Sequence, residues 1–295
     1  MGERNGPAGM ARPALAVDDA VLAAWLREDA PFGDLTSATL LPRGRAGRMR
    51  FEARGPMCVA CSEEAARLLQ LAGAEHVQLL APSGTRAEAG QPLLQAEGDA
   101  QALLLGWKVA QTLVEAASGM ATAAAAIVDA LRAEGFSTPL ACTRKNFPGT
   151  RAIAAKAVRA GGAVMHRLGL SETLLVFPEH RAFIAPHQLS AALAALAAAQ
   201  PEKRVVAEVG SADEALALAR AGVELLQLER FTPAALQALR AQLRTEGLAP
   251  KLAPAGGVTL ANALDYARAG ADLLVSSAPY FAPPADVRVR VEAVG

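Results

Sequence analysis

The chain has 295 residues, enough for two domains or one large α/β unit, and its 52% hydrophobic content suffices for a sizeable core. Its 29 basic residues balance 29 acidic ones and aromatics are 4%, which excludes a nucleic-acid footprint and a base-stacking platform. No stretch reaches the ~18 uninterrupted apolar residues of a membrane span and the N-terminus has no long apolar run, so a cytoplasmic protein without membrane attachment is expected.

In chain order, residues 1–13 read as a disordered tail. Residues 18–27 predict a short amphipathic helix with Val21, Leu22, Trp25 and Leu26 inward. From Glu28 to Thr36, acids and a turn at Gly33 precede a strand-like segment, where the acids suit structural roles better than catalysis. Residues 47–60 alternate as paired strands do, a helix over 62–72 follows with Ser62 as its N-cap, and 77–81 and 92–96 are further strands. Cys58 and Cys61 form a C-x-x-C without a second pair or nearby His, which reads as structural thiols. Residues 14–118 are thus expected to form a small α/β sandwich.

Residues 101–117 predict a long helix carrying Lys108. Ser118 and Gly119 interrupt it before a second helix over 123–134, and the join is a candidate domain boundary. Beyond it, strand-like runs at 139–142, 173–177, 204–209, 224–228, 251–255 and 271–276 alternate with helices. Parallel strands with right-handed crossovers are expected, forming an incomplete α/β barrel over 119–281, with residues 282–295 able to return to the first domain.

Charge is sorted along this half. No Asp or Glu occurs between Glu134 and Glu172, whereas Arg144, Lys145, Arg151, Lys156, Arg159 and Arg167 do. Arg144 and Lys145 end an apolar run before a Phe-Pro-Gly turn, and His166 and Arg167 follow the Gly161-Gly162 pair. Both basic pairs abut apolar or glycine segments, which suits an anion pocket better than a solvated face. Later runs also end in polar residues: Glu208, Glu229, Gly256-Gly257 and Ser276-Ser277. That end of a parallel barrel carries the site, and paired glycines let backbone N–H groups approach a phosphate. A basic wall, two carboxylates and a glycine-serine cup fit a phosphorylated sugar carrying a second anion.

Thr143-Arg144-Lys145, Pro148-Gly149, Lys156, Gly161-Gly162 and His166-Arg167-Leu168 together resemble the signature of the quinolinate phosphoribosyltransferase family, the type II phosphoribosyltransferases. Departures make the chain more similar to the ModD branch, associated with molybdate-transport operons. The resemblance implies a type II phosphoribosyltransferase fold and a pentosyltransferase reaction: a carboxylated nitrogen heterocycle, quinolinate among the candidates, displaces pyrophosphate from phosphoribosyl pyrophosphate. It implies Glu208 and Glu229 at the ribose, Lys145 at the pyrophosphate, and Mg²⁺ bridging to the two carboxylates. Arg144, His166 and Arg167 would receive the acidic heterocycle, with Lys156 and Phe177 also contacting substrate, and Gly256, Gly257, Ser276 and Ser277 would hold phosphate. It further implies a homodimer with shared sites, to which Lys108 contributes across the interface.

Several positions depart from the family pattern. Phe177 stands for a lysine, Lys108 for an arginine, Glu172 and Glu229 for aspartates, Val206 for a glutamate, and Ala253 with Ala255 for Glu and Ser. The expectation is a retained phosphoribosyl half and an altered acceptor half, with Phe177 offering an apolar or stacking face. A non-catalytic phosphate-ligand-binding accessory of molybdate transport or molybdenum metabolism is the alternative. The Thr-Arg-Lys and His-Arg matches disfavour an unrelated sugar-phosphate barrel enzyme.

Overall fold

The computed structural model describes residues 15–294, so the expected tail at residues 1–13 lies outside the described residues. The chain divides into two compact units, residues up to 115 together with those from 286 onward, and residues 116–285.

In the first unit a four-stranded antiparallel sheet runs Val287–Ala293, Ala46–Ala53, Pro92–Asp99, His76–Leu79. Alternation along Ala46–Ala53 turns Met49, Phe51 and Ala53 inward, where they are buried. Helix Ser62–Leu71 packs on this sheet and buries Ala65, Leu68 and Leu69. Residues 47–60 do not pair with each other as expected: Met57–Cys58 instead forms a separate ribbon with Arg86–Ala87. Ser62 is not the N-cap either. Cys61 takes that position at φ 59°, and the Ser62 hydroxyl donates to the Ala81 carbonyl at 2.7 Å. The segment after Gly33 is a short helix, Leu35–Leu40, because the Asp34 carboxylate accepts the Thr36 and Ser37 amides at 3.0 and 3.1 Å. Cys58, Cys61 and Cys142 are all buried, and no disulfide joins them among the described residues.

The expected break at Ser118 and Gly119 is absent: Ala100–Ala133 is one 34-residue helix. Thr122 returns its hydroxyl to the Ser118 carbonyl at 2.7 Å. Gly119 serves close approach, since a Cβ there would lie 2.3 Å from the Pro283 carbonyl oxygen. By length and composition this helix could cross a bilayer, yet half of its most apolar stretch is buried within the fold.

The second unit carries parallel strands in two ladders. One runs Lys251–Ala255, Leu225–Glu229, Val205–Val209, Leu174–Val176; the other runs Leu274–Ser276, Leu140–Cys142, Val164–Met165. The Asp272 amide bonds to the Leu252 carbonyl at 2.9 Å, joining the ladders on one side. No ladder links Val164–Met165 to Leu174–Val176 among the described residues, so the barrel is incomplete. Alternate residues divide the core. Ala207, Val209, Leu226, Leu228, Leu252 and Leu274 pack outward with the covering helices, while Leu175, Val206, Leu225, Ala253, Ala255 and Val275 fill the interior. Two-residue strand Val164–Met165, too short to show in the sequence pattern, is what aligns the following His166 and Arg167 with the other strand ends.

A Gly119→Ala variant tests the close approach. Helix propensity alone favours Ala by ~1 kcal/mol, but overlap with fixed backbone costs about 1–3 kcal/mol. Chemical denaturation of the full chain should therefore show a net loss of stability; a gain would mean the helix can shift away from Pro283.

Candidate active site

Strand alternation sets the site. On Leu225–Glu229 the inward positions are Leu225, Gln227 and Glu229, and Gln227 lies in register with Glu208 of the neighbouring strand. Above the apolar interior these side chains line a cavity of about 440 Å³, within the usual range for small-molecule sites.

One wall is cationic. Arg144 and Lys145 are exposed at its edge, on a main chain held at Thr143 from two sides. The Thr143 amide donates to the Ser276 carbonyl at 2.9 Å, and the Tyr280 hydroxyl donates to the Thr143 carbonyl at 2.6 Å. Burial raises the pKa of that hydroxyl, which therefore stays a donor. The His166 amide bonds to the Cys142 carbonyl at 2.8 Å and so extends the ladder by one residue. Burial, then the neighbouring Arg167 charge, pushes the His166 imidazole down to about 4 against an opposing pull from Glu172, leaving it neutral at pH 7.

Arg167 is 5% exposed and lines the cavity. Its guanidinium carbon lies 5.6 Å from the centre of the Phe177 ring. Among the described residues no carboxylate and no hydrogen-bond acceptor meets this guanidinium. Burial, helped by Arg144, lowers its pKa. Phe177 also stacks on His180, with ring centres 5.8 Å apart, while His180 Nδ1 accepts the Phe177 amide at 2.9 Å.

The facing wall is acidic. Gln227 is 5% exposed and donates through Nε2 to Glu208 Oε2 at 2.5 Å. Arg181 Nη2 donates to the Glu208 carbonyl at 3.0 Å and lies 3.6 Å from Glu214. Burial raises the Glu208 pKa, Gln227 opposes this, Glu229 and Glu179 add to it, and Lys145 opposes it. Glu229 rests against Gly256, where a Cβ would lie 2.5 Å from Oε1; φ of +77° also demands glycine there. The turn continues through Gly257 and is fixed by Asn262, which accepts the Thr259 amide at 2.8 Å and donates to the Gly257 carbonyl at 2.9 Å. Ser276 is committed to this turn, its hydroxyl donating to the Val258 carbonyl at 2.6 Å. Ser277 lines the cavity beside it.

The candidates Arg144, Lys145, His166, Arg167, Phe177, Glu208, Glu229, Gly256, Gly257, Ser276 and Ser277 thus share one cavity. Lys156, on helix Arg151–Ala160, does not line it. Lys108 belongs to the first unit and lines a depression there with Asp29, Asp34 and Trp107. Its ammonium stands 4.3 Å from the Trp107 ring centre and 3.2 Å from Gln111 Oε1. Gln227, Arg181 and Tyr280 were not anticipated. Gln227 could have been read from its two-residue spacing to Glu229; Arg181 and Tyr280 reach the site only through tertiary folding. No cluster of three or more His, Cys, Asp or Glu that could hold a metal occurs among the described residues.

An incomplete parallel barrel with this rim defines a type II phosphoribosyltransferase, a pentosyltransferase enzyme. The family models for the quinolinate phosphoribosyl transferase N-terminal and C-terminal domains match residues 34–118 and 120–290. The chain belongs to the quinolinate phosphoribosyltransferase family. It is 50% identical to ModD of Rhodobacter capsulatus over 258 residues, 86% of this chain and 97% of that protein. It is 35% identical to the nicotinate-nucleotide pyrophosphorylase (carboxylating) of Mycobacterium leprae over 261 residues, 86% of this chain and 89% of that protein. In fold it is similar to the nicotinate-nucleotide pyrophosphorylase of Francisella tularensis, at a TM-score of 0.83 and 22% identity, covering 92% of this chain and 95% of that one.

The His166 shift has a sign that can be checked. Between the ordinary imidazole value of 6.5 and about 4, the unfolded chain binds a proton that the folded chain does not. Stability should therefore fall as pH drops through that window, by roughly 3 kcal/mol from this residue. Denaturation across pH 4–7 should show a shallower slope in His166→Asn; an unchanged slope would mean the imidazole is not held neutral.

Proposed function

We propose that the protein transfers phosphoribose from phosphoribosyl pyrophosphate to a ring nitrogen of a carboxylated heterocycle and releases pyrophosphate. The observation that carries this reading is Arg167. A buried guanidinium without a counter-ion is strongly unfavourable unless an anion arrives to pair with it, and a substrate carboxylate is such an anion. The nitrogen lone pair forms the new bond to the anomeric carbon while the bond to the pyrophosphate oxygen breaks. Positive charge develops on the sugar and negative charge on the leaving group. Glu208 and Glu229 on one wall and Lys145 on the other match that separation before it occurs, so little reorganisation is needed. The Gly256-Gly257 turn supplies backbone amides for a phosphate.

Mg²⁺ is part of the proposal. Two carboxylates sharing the cavity, without a fuller protein ligand set, suit an ion bound mainly through substrate phosphates, with Glu208 and Glu229 alongside. Its charge would offset that of the diphosphate. A cytoplasmic homodimer is also proposed, with Lys108 offered to the partner's site. The name of the Mycobacterium leprae relative supports the chemistry, and the Rhodobacter capsulatus ModD likeness leaves the acceptor open. A non-catalytic phosphate-ligand carrier serving molybdate transport is the second reading, favoured by the apolar Phe177 ring beside Arg167.

Calorimetry with phosphoribosyl pyrophosphate and Mg²⁺ should give binding in the micromolar range; none below millimolar ends the first reading. Pyrophosphate release with a carboxylated heterocycle distinguishes the enzyme from the carrier. In Arg167→Ala, kcat/KM for the acceptor should fall on the order of 100-fold, with phosphoribosyl pyrophosphate binding kept. If subunits share sites, mixing Lys108→Ala and Lys145→Ala proteins should restore part of the activity; no recovery in verified mixed dimers argues against sharing.

A further inference from the structure

We propose that Gln227 is a positioning residue for phosphoribosyl transfer: it orders the Glu208 carboxylate before the sugar arrives, and the fold keeps it there at a cost in stability. This rests on the phosphoribosyl-transfer reading and adds a residue to its machinery.

Leu225–Glu229 and Val205–Val209 are neighbouring parallel strands, and Gln227 stands opposite Glu208 in their register. Leu226 and Leu228 pack outward, so alternation turns Gln227 inward together with Glu229. From that place its amide reaches across the ladder, and Nε2 donates to Glu208 Oε2 at 2.5 Å. Glu208 is thereby held at side chain and main chain alike, since Arg181 Nη2 donates to its backbone carbonyl at 3.0 Å. A glutamate turns about several bonds, and a hydrogen bond to an ionised oxygen is among the stronger restraints on it. A carboxylate already aimed at developing positive charge needs no reorganisation during the reaction.

The arrangement is unfavourable for Gln227 itself. The residue is 5% exposed, and its Oε1 is buried without a hydrogen-bond partner among the described residues. Turning the amide over would set one acceptor against another at Glu208. An orphaned buried oxygen destabilises the fold, and an apolar side chain of similar length would occupy the position without one. The same pattern recurs close by. Among the described residues, the other buried side-chain atoms left without a partner are Nε of Arg181 and Oδ1 of Asn146. Arg181 holds Glu208 and Asn146 follows Lys145, so all of them belong to residues bonded or adjacent to the two groups that face the separating charges. A fold that served stability alone would pair or remove such atoms; gathered here, they mark where packing gives way to the ordering of a site.

Gln227→Met keeps an unbranched side chain and removes both polar atoms. Glu208→Asp keeps the charge but stops one methylene short of Gln227. The unaltered full chain, each single variant and the double variant are compared in thermal unfolding and in pyrophosphate release. Release is measured with phosphoribosyl pyrophosphate, Mg²⁺ and quinolinate, and again with nicotinate.

Gln227→Met should lower kcat on the order of 10- to 100-fold while KM for phosphoribosyl pyrophosphate stays within about threefold, because the ordered carboxylate acts on charge that develops only in the transition state. Its melting temperature should equal or exceed that of the unaltered chain, because the orphaned oxygen is gone while Glu208 still lines the cavity. In the Glu208→Asp background the same change should leave kcat where it was, as expected of a group that acts through Glu208. A lowered melting temperature overturns the proposal, since Gln227 would then be a strand link on which the fold depends. Unchanged kcat, or a full further loss in the Glu208→Asp background, overturns it too. These outcomes leave phosphoribosyl transfer standing, whereas no pyrophosphate release with either acid by the unaltered protein removes that reading and the proposal together.

Discussion

A guanidinium that is unpaired among the described residues, on a side chain buried along most of its length and open to the cavity, is the constraint on which the site depends. Arg167 sits at the end of a two-residue strand, 5% exposed, with an aromatic ring as its nearest neighbour of note. Such a charge is tolerated only where the surrounding structure is stable enough to hold it. Two apolar cores, one outside the strands and one within the barrel, supply that stability. The same burial that makes the unpaired cation costly makes an arriving anion bind strongly, because few waters remain to compete.

Close packing and ladder hydrogen bonds together fix where that charge stands. Gly161 ends helix Arg151–Ala160 where a Cβ would come within 2.4 Å of the Ala121 carbonyl oxygen. Gly119 likewise admits the chain at Pro283. Both glycines draw the long helix against backbone, and the strand that follows Gly161 leads directly to His166 and Arg167. At the other wall Gly256 makes room for Glu229 in the same manner. Three glycines thus permit close approaches at Pro283, at Ala121 and at the Glu229 carboxylate.

The cavity sets cationic side chains on one wall against carboxylates on the other. Lys145, Glu208, Glu229 and the glycine turn stand together around one cavity. Beneath the rim, Phe177, Val206, Ala253 and Ala255 form an apolar layer. An interior of small and apolar side chains thus lies under a charged rim. Gln227 interrupts this pattern by reaching from that layer to Glu208, which orients one carboxylate oxygen.

Much of this was legible in the amino-acid order. Apolar runs separated by helical spacing specify a parallel α/β barrel, and polar residues just past each run specify which end is chemical, because strand alternation and connection handedness are local or nearly local properties. The sorted charge from residue 144 to 167 marked the anion wall in the same way. The tertiary structure alone decided that Ser118 and Gly119 continue a helix, that Asp34 starts one, and that Val164–Met165 is a strand, since each depends on a partner distant in sequence or on a cap outweighing propensity. It alone decided that Arg167 is buried without a counter-ion, that His166 is neutral, and that Tyr280 and Arg181 hold the backbone of the site. Burial and pairing are sums over neighbours that the chain brings together only on folding, so no reading of residue order can assign them.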